Sequence, residues 1–94
     1  MEEPNPEAIA ILGGTGDQGL GLALRFAKAG RPVVIGSRVE ERALAAAEQV
    51  REAVPDADVI GFENSVATTR ARIVILSVPF EHLASTLKSI QSAL

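Results

Sequence analysis

Gly14, Gly16 and Gly19 follow the apolar run Ala8-Ile9-Ala10-Ile11-Leu12 at the spacing G-x-G-x-x-G, and an Ala- and Leu-rich segment begins directly behind them. Glycine loses more conformational freedom on folding than any other residue, so three of them here need a reason. Between an expected strand and an expected helix each has a task. Gly14 makes the tight turn, Gly16 lets a pyrophosphate approach the backbone, and Gly19 lets helix and strand pack closely. The free N–H groups at the helix start, at the positive end of its dipole, complete an anion site. A P-loop is excluded, because no Lys follows at the required spacing. The chemistry these residues point to is dinucleotide binding. Asp17 stands inside the loop and is read as pointing outward, where it complements the helix N-terminus.

A second group of residues lies eighteen positions on from Gly19, at the end of the next expected strand, where the chain reads Gly36-Ser37-Arg38. A carboxylate at this place bonds the ribose hydroxyls of NAD. Ser37 and Arg38 favour a 2′-phosphate instead, and Arg42, one helical turn further, reaches toward the same group. Guanidinium forks match phosphate oxygens geometrically. The expected cofactor is NADP.

The elements that must position these residues alternate. Ala8–Leu12 reads as a strand buried on both faces. Residues 16–29 carry Leu20, Leu24 and Ala27 at helical spacing, with Gly30 as the stop. Val33–Gly36 is a second strand, 40–54 a second helix closed by Pro55, and Asp58–Phe62 a third strand. Asn64 is expected to cap a short helix reaching about Arg70. Arg72–Val78 is a fourth strand broken by Pro79. Leu83, Leu87, Ile90 and Leu94 mark the face of a last helix from Glu81 to Leu94. This alternation predicts an α/β, Rossmann-like fold. Its parallel sheet has about four strands in the order 3-2-1-4, with helices on both faces. Residues 1–7 are expected to be a flexible leader and 8–94 the NADP-binding domain.

Composition narrows the function classes. Nine Lys/Arg against twelve Asp/Glu give a net charge of −3, with no basic footprint for nucleic acid or for a membrane surface. The chain has no cysteine, which excludes disulfides, thiolate nucleophiles and Cys-ligated metals, and is compatible with a reducing cytoplasm. No apolar stretch is long enough to span a bilayer, and the acidic, Pro-interrupted start is unlike a signal peptide. No metal-ligand or catalytic-triad spacing appears. The one histidine, His82, is read either as a polar residue near a helix start or as a contact to the reacting ring. No catalytic residue is assigned.

Taken together, Ile11-Leu12-Gly13-Gly14-Thr15-Gly16, Gly19-Leu20-Gly21-Leu22-Ala23-Leu24-Arg25, Gly36-Ser37-Arg38 and Leu76-Ser77-Val78-Pro79-Phe80-Glu81-His82 resemble the N-terminal domain of NADPH-dependent reductases of the deazaflavin coenzyme F420. The resemblance runs from about Ile9 to the end of the chain. It implies hydride transfer between NADPH and the deazaflavin, with the two rings stacked in a cleft. It also implies that Thr15, Gly16, Asp17 and Gln18 line the pyrophosphate. Ser37, Arg38 and Arg42 would hold the 2′-phosphate, and Val78, Pro79 and Phe80 would lie beside the nicotinamide half. Family members continue for roughly another hundred residues or more, which supply the deazaflavin site and dimer contacts. The expectation is therefore a chain that binds cofactor without efficient turnover alone, and that forms a homo-oligomer or joins a substrate domain. Two alternatives stand beside it. One is a non-catalytic, redox-sensing NADP module. The other is a related reductase of the pyrroline-5-carboxylate reductase or metalloreductase kind.

Overall fold

Short apolar runs bounded by Gly and Pro alternate with Ala-rich amphipathic segments, and each run becomes a strand. The computed structural model of the chain describes residues 5–13, 16–77 and 80–91. Its elements are β1 (Asn5–Leu12), α1 (Asp17–Lys28), β2 (Val33–Ser37), α2 (Glu40–Ala53), β3 (Val59–Glu63), α3 (Asn64–Thr68), β4 (Ala71–Leu76) and α4 (Phe80–Ile90). The strands pair in parallel in the order β3-β2-β1-β4, so the expected Rossmann-like topology is found. Ile11 at the centre faces Ile35 on one side and Ile75 on the other.

Alternation along β1 divides the core. Ile9 and Ile11 join Val33, Ile35 and Val59 beneath α1 and α2, while Ala8, Ala10 and Leu12 join Val34, Ala67 of α3 and Ile90 of α4 on the opposite face. Helices therefore cover both faces, as an all-parallel sheet requires. The helices above the first face approach through small residues. Gly19, Ala23 and Ala27 form the buried line of α1, and Ala43, Ala46 and Ala47 lead that of α2. A Cβ on Gly61 would stand 2.4 Å from the carbonyl group of Ala43, so α2 rests on the bare backbone of β3.

Among the described residues, Gly13 at φ 74° and Gly30 at φ 81° set chain reversals. Gly30 ends α1 in a Schellman arrangement, with Gly30 N–H donating to Ala27 O and Arg31 N–H to Phe26 O, each at 3.0 Å.

Several boundaries differ from expectation. β1 begins at Asn5 rather than Ala8, with a register irregularity against β4 between Asn5 and Ile9. The cap of α3 is Glu63, whose carboxylate accepts from Ser65 N–H at 3.2 Å and from the Ser65 hydroxyl. Asn64, the expected cap, is instead folded inward and only 2% exposed, because its side chain fills the space beside Gly36. On α4 the buried positions include Thr86 and Ile90, while Leu87 is 38% exposed. Its apolar face is thus only partly covered. Val78 and Leu94, expected at the ends of the last strand and helix, lie outside the described residues. No helix among the described residues is long and apolar enough to cross a membrane.

Candidate functional site

Parallel strands carry all their C-terminal ends to one edge of the sheet, and there the two groups of candidate residues meet. The first group opens α1. Gly16 is the N-cap, in extended conformation at φ −77° and ψ 167°, with no side-chain cap bond. Any residue adopts that conformation. A Cβ added there would touch only the Gly13 carbonyl oxygen, at an ordinary 3.8 Å. Neither the backbone geometry nor packing against the described residues requires a glycine at this place. Gly16, Asp17 and Gln18 are all exposed, whereas Gly19 is buried against the sheet, in keeping with a packing role. Leu20 N–H donates to Gly16 O at 2.8 Å, so α1 is wound from its first turn, and the N–H groups of Asp17, Gln18 and Gly19 precede its first intrahelical bond.

The second group closes β2. Ser37 is 5% exposed and aligned with Glu63 on β3. Its hydroxyl oxygen accepts from Val39 N–H at 3.3 Å, and Val39 is the N-cap of α2. That bond uses an oxygen lone pair and leaves the hydroxyl proton free to donate to an anion. Arg38 and Arg42 flank the same helix start, and both are exposed. Carboxylates stand nearby as well: that of Glu63 is turned toward Ser65, and Glu40 and Glu41 occupy the first turn of α2. The start of α2 therefore offers a hydroxyl, two guanidinium groups and the positive end of a helix dipole.

These two groups are bonded to each other through the backbone, with Gly13 N–H donating to Gly36 O at 3.0 Å. Gly36 is bare for a packing reason, since a Cβ there would lie 2.7 Å from Leu12 Cδ2 and 2.8 Å from Asn64 Oδ1. On the other side of β1, Ser77 N–H donates to Leu12 O at 2.8 Å and holds the end of β4 level with the glycine turn.

Of the residues singled out from sequence, the structure brings together Gly16, Asp17, Gln18, Ser37, Arg38 and Arg42 at one edge. Gly14, Thr15, Val78 and Pro79 lie outside the described residues, and Phe80 opens α4. Sequence reading missed a cleft of about 480 Å³ between α1 and the end of β4, lined by Asp17, Gln18, Gly21, Leu22, Arg25, Leu76 and Ser77. One signal was present. Gly21 lies in mid-helix, where Gly costs about 1 kcal/mol relative to Ala, and among the described residues nothing outside its own helix turn stands within 4 Å of where its Cβ would be. No cluster of His, Cys, Asp and Glu suited to a metal ion occurs among the described residues.

Comparison with known proteins identifies the family. Residues 8–94 match the family model described as NADP oxidoreductase, coenzyme F420-dependent. The F420-dependent NADP reductase of Methanocaldococcus jannaschii is 49% identical over 90 residues, covering 92% of this chain and 40% of that protein. The reductases of the same name from Methanothermobacter marburgensis and Methanothermobacter thermautotrophicus are 50% and 52% identical. They cover 92% and 88% of this chain, and 39% and 37% of their own lengths. The chain thus spans about two fifths of the length of the curated relatives it matches.

Proposed function

Since this chain belongs to the coenzyme F420-dependent NADP oxidoreductases, we propose that it binds NADPH and presents the nicotinamide for hydride exchange with a deazaflavin. The carrying observation is the pair of anion sites joined by the Gly13–Gly36 bond. One is the bare start of α1 and the other is the Ser37, Arg38 and Arg42 group at the start of α2. A dinucleotide diphosphate with an extra ribose phosphate has just this distribution of charge.

The residues present fit that cofactor. Gly16, which carries no side chain, and N–H groups of the first turn of α1 would hold the pyrophosphate. Ser37 and Arg38 hold the 2′-phosphate, with Arg42 closing from the first turn of α2. This fixes the adenosine half on the β2 side of α1. The ends of β1 and β4, with Ser77, would receive the nicotinamide half, and Val78, Pro79 and Phe80 follow Ser77 in sequence. When bound, NADPH supplies a hydride that the deazaflavin takes up together with one proton. Transfer between two conjugated rings needs alignment more than a protein acid or base, which agrees with the absence of an assigned catalytic side chain.

Two finer readings belong with it. The chain functions in the cytoplasm, a reading supported by its lack of cysteine. It also works against further polypeptide, from a second copy or a substrate domain, a reading supported by the apolar surface at Ile73 on β4, which is 48% exposed. The decisive experiment is titration with NADPH and NADH, followed by a hydride-transfer assay with the deazaflavin. Binding without preference for NADPH overturns the reading.

A further inference from the structure

We propose that the outer edge of β3 is a docking surface for a second copy of this chain, the two β3 strands pairing antiparallel about a twofold axis at Gly61. It is a contact of these residues alone, independent of the NADPH reading and separate from any that further polypeptide makes. β3 is an outer strand of the sheet, at the opposite edge from Ile73 on β4. Such edges are usually blunted by Lys, Pro or a bulge. Val59-Ile60-Gly61-Phe62 carries none of these and pairs with β2 in unbroken register. Both faces beside this edge are apolar and open. On one, Ile60 is 46% exposed at a cleft of about 180 Å³ that Asp58, Phe62 and Arg70 also line. α3 is only five residues long and packs beside Gly36, toward the strand ends, which leaves this part of the sheet bare. On the other face α2 crosses so closely that Leu44 N would stand 2.8 Å from a Cβ on Gly61, and the Leu44 side chain is 47% exposed.

Backbone geometry and charge select the second copy and its register. Val33 N–H donates to Asp58 O at 2.9 Å, and backbone groups alternate along a strand. Asp58, Ile60 and Phe62 therefore turn theirs toward β2, while Val59, Gly61 and Glu63 turn theirs outward. With the axis at Gly61, the outward groups of Gly61 bond to their own copy and those of Val59 to Glu63 of the second copy. Ile60 then faces Phe62 of the second copy in the closer, non-hydrogen-bonded pairing, a β-branched side chain against an aromatic one, twice over. An axis at Ile60 would set Phe62 against Asp58, and one at Phe62 would set Ile60 against buried Asn64. Charge fits the same axis. Arg70 lies over the Phe62 ring, 5.1 Å from its centroid, and Asp58 precedes Ile60 by two residues and lines the same cleft. Each copy's Arg70 thus comes next to the other's Asp58. A patch that complements itself in this way closes as a dimer rather than growing into a fibre. Because the strands run oppositely, the two cofactor edges open at opposite ends of the merged sheet.

The test is sedimentation equilibrium of the 94-residue chain from about 1 μM to about 1 mM. The parent chain should dimerise with a dissociation constant in the micromolar range, as small specific interfaces do. Ile60→Lys, a change at an exposed side chain, should weaken the dimer by at least about tenfold and leave the melting temperature of dilute chain unchanged. Asp58→Arg should weaken it as well, and Asp58→Arg combined with Arg70→Asp should recover most of that loss, because exchanging both charges restores each pair. Ile73→Lys, at the other edge of the sheet, should leave the dissociation constant within about twofold of the parent. Amide exchange at Gly61 should slow as protein concentration rises, a direct report of the new backbone bonds. A chain that stays monomeric up to about 1 mM overturns the inference. So does a dimer that survives Ile60→Lys, one lost through Ile73→Lys instead, or no recovery in the charge exchange. None of these readouts involves a cofactor, so NADPH titration of the Ile60→Lys chain, expected to match the parent, judges the NADPH reading separately.

Discussion

The backbone N–H of Gly13 donates to the carbonyl of Gly36 at 3.0 Å, so the turn that ends β1 is bonded to the strand end that carries Ser37 and Arg38. The two proposed anion sites are therefore bonded along one edge of the sheet. Gly13 accepts the left-handed φ of 74° that this turn needs. Gly36 leaves room for Leu12 and Asn64 beneath it. Both glycines serve the fold. Gly16 and Gly21 do not, and that contrast separates the expectations that follow.

NADPH should bind at least about tenfold more tightly than NADH, because a hydrogen bond to a charged group contributes roughly 1.5–3 kcal/mol and each 1.4 kcal/mol is a factor of ten. Arg38→Ala should remove most of the difference while leaving NADH affinity nearly unchanged, since Arg38 is exposed and NADH has no 2′-phosphate for it to hold. The preference should also shrink as salt is raised, because the guanidinium groups are screened. Calorimetric titration with both cofactors at two ionic strengths measures this, and equal affinities refute it.

Gly16→Val should abolish dinucleotide binding in a chain that still folds. The position has φ −77° and ψ 167°, which valine adopts freely, and its Cβ would meet only Gly13 O at 3.8 Å. The cost to stability should stay within about 1 kcal/mol, since no buried group is disturbed. Circular dichroism melts and NADPH titration separate the two effects. Retained affinity in the folded variant would show that the glycine turn is only structural.

What the sequence reveals about this chain, and what it conceals, follows from how local each signal is. Strand order, the turn at Gly13–Gly16 and the Ser37-Arg38 strand end are carried by residues adjacent in the chain, where periodicity and turn chemistry speak directly. The cleft beside Gly21 is built from two elements about fifty residues apart, and no local pattern announces it. Capping of α3 misled for a related reason. Asn is a favoured N-cap and Glu is not, yet Gly36 leaves a space across the sheet that Asn64 fills, so the role falls to Glu63. The same holds for α4, whose regular Leu83, Leu87 and Ile90 spacing promised a fully covered face. Its neighbours cover Thr86 and Ile90 but leave Leu87 38% exposed.

Gly61→Ala should be among the most damaging single-atom changes available to the chain. The added methyl would stand 2.4 Å from both the carbon and the oxygen of the Ala43 carbonyl, backbone atoms that cannot turn aside. Overpacking of this kind costs roughly 1–3 kcal/mol, and for a domain of this size each kcal/mol lowers Tm by about 4–8 °C. A thermal melt should therefore fall by about 10 °C or more. A matched Gly21→Ala variant should melt at the same temperature or higher, because its methyl meets open space on a helix. If the two variants melt alike, α2 does not rest on the backbone of β3 as described.

The 94-residue chain should bind NADPH yet transfer hydride to the deazaflavin at a rate at least about a hundredfold below that of a full-length relative. On the proposed reading its own residues account for one cofactor, with the starts of α1 and α2 both given to the dinucleotide. A ring held on one side samples many orientations, and a misplacement of about 1 Å is enough to cost a hundredfold in rate. The relatives that carry the activity in their names are matched over only 37–40% of their length. A concentration series distinguishes the sources of the missing wall. A specific rate that rises with protein concentration points to a second copy of this chain, and one that stays low throughout points to a separate substrate domain. A rate equal to that of a full-length relative in dilute, monomeric chain would place the whole second site within these residues.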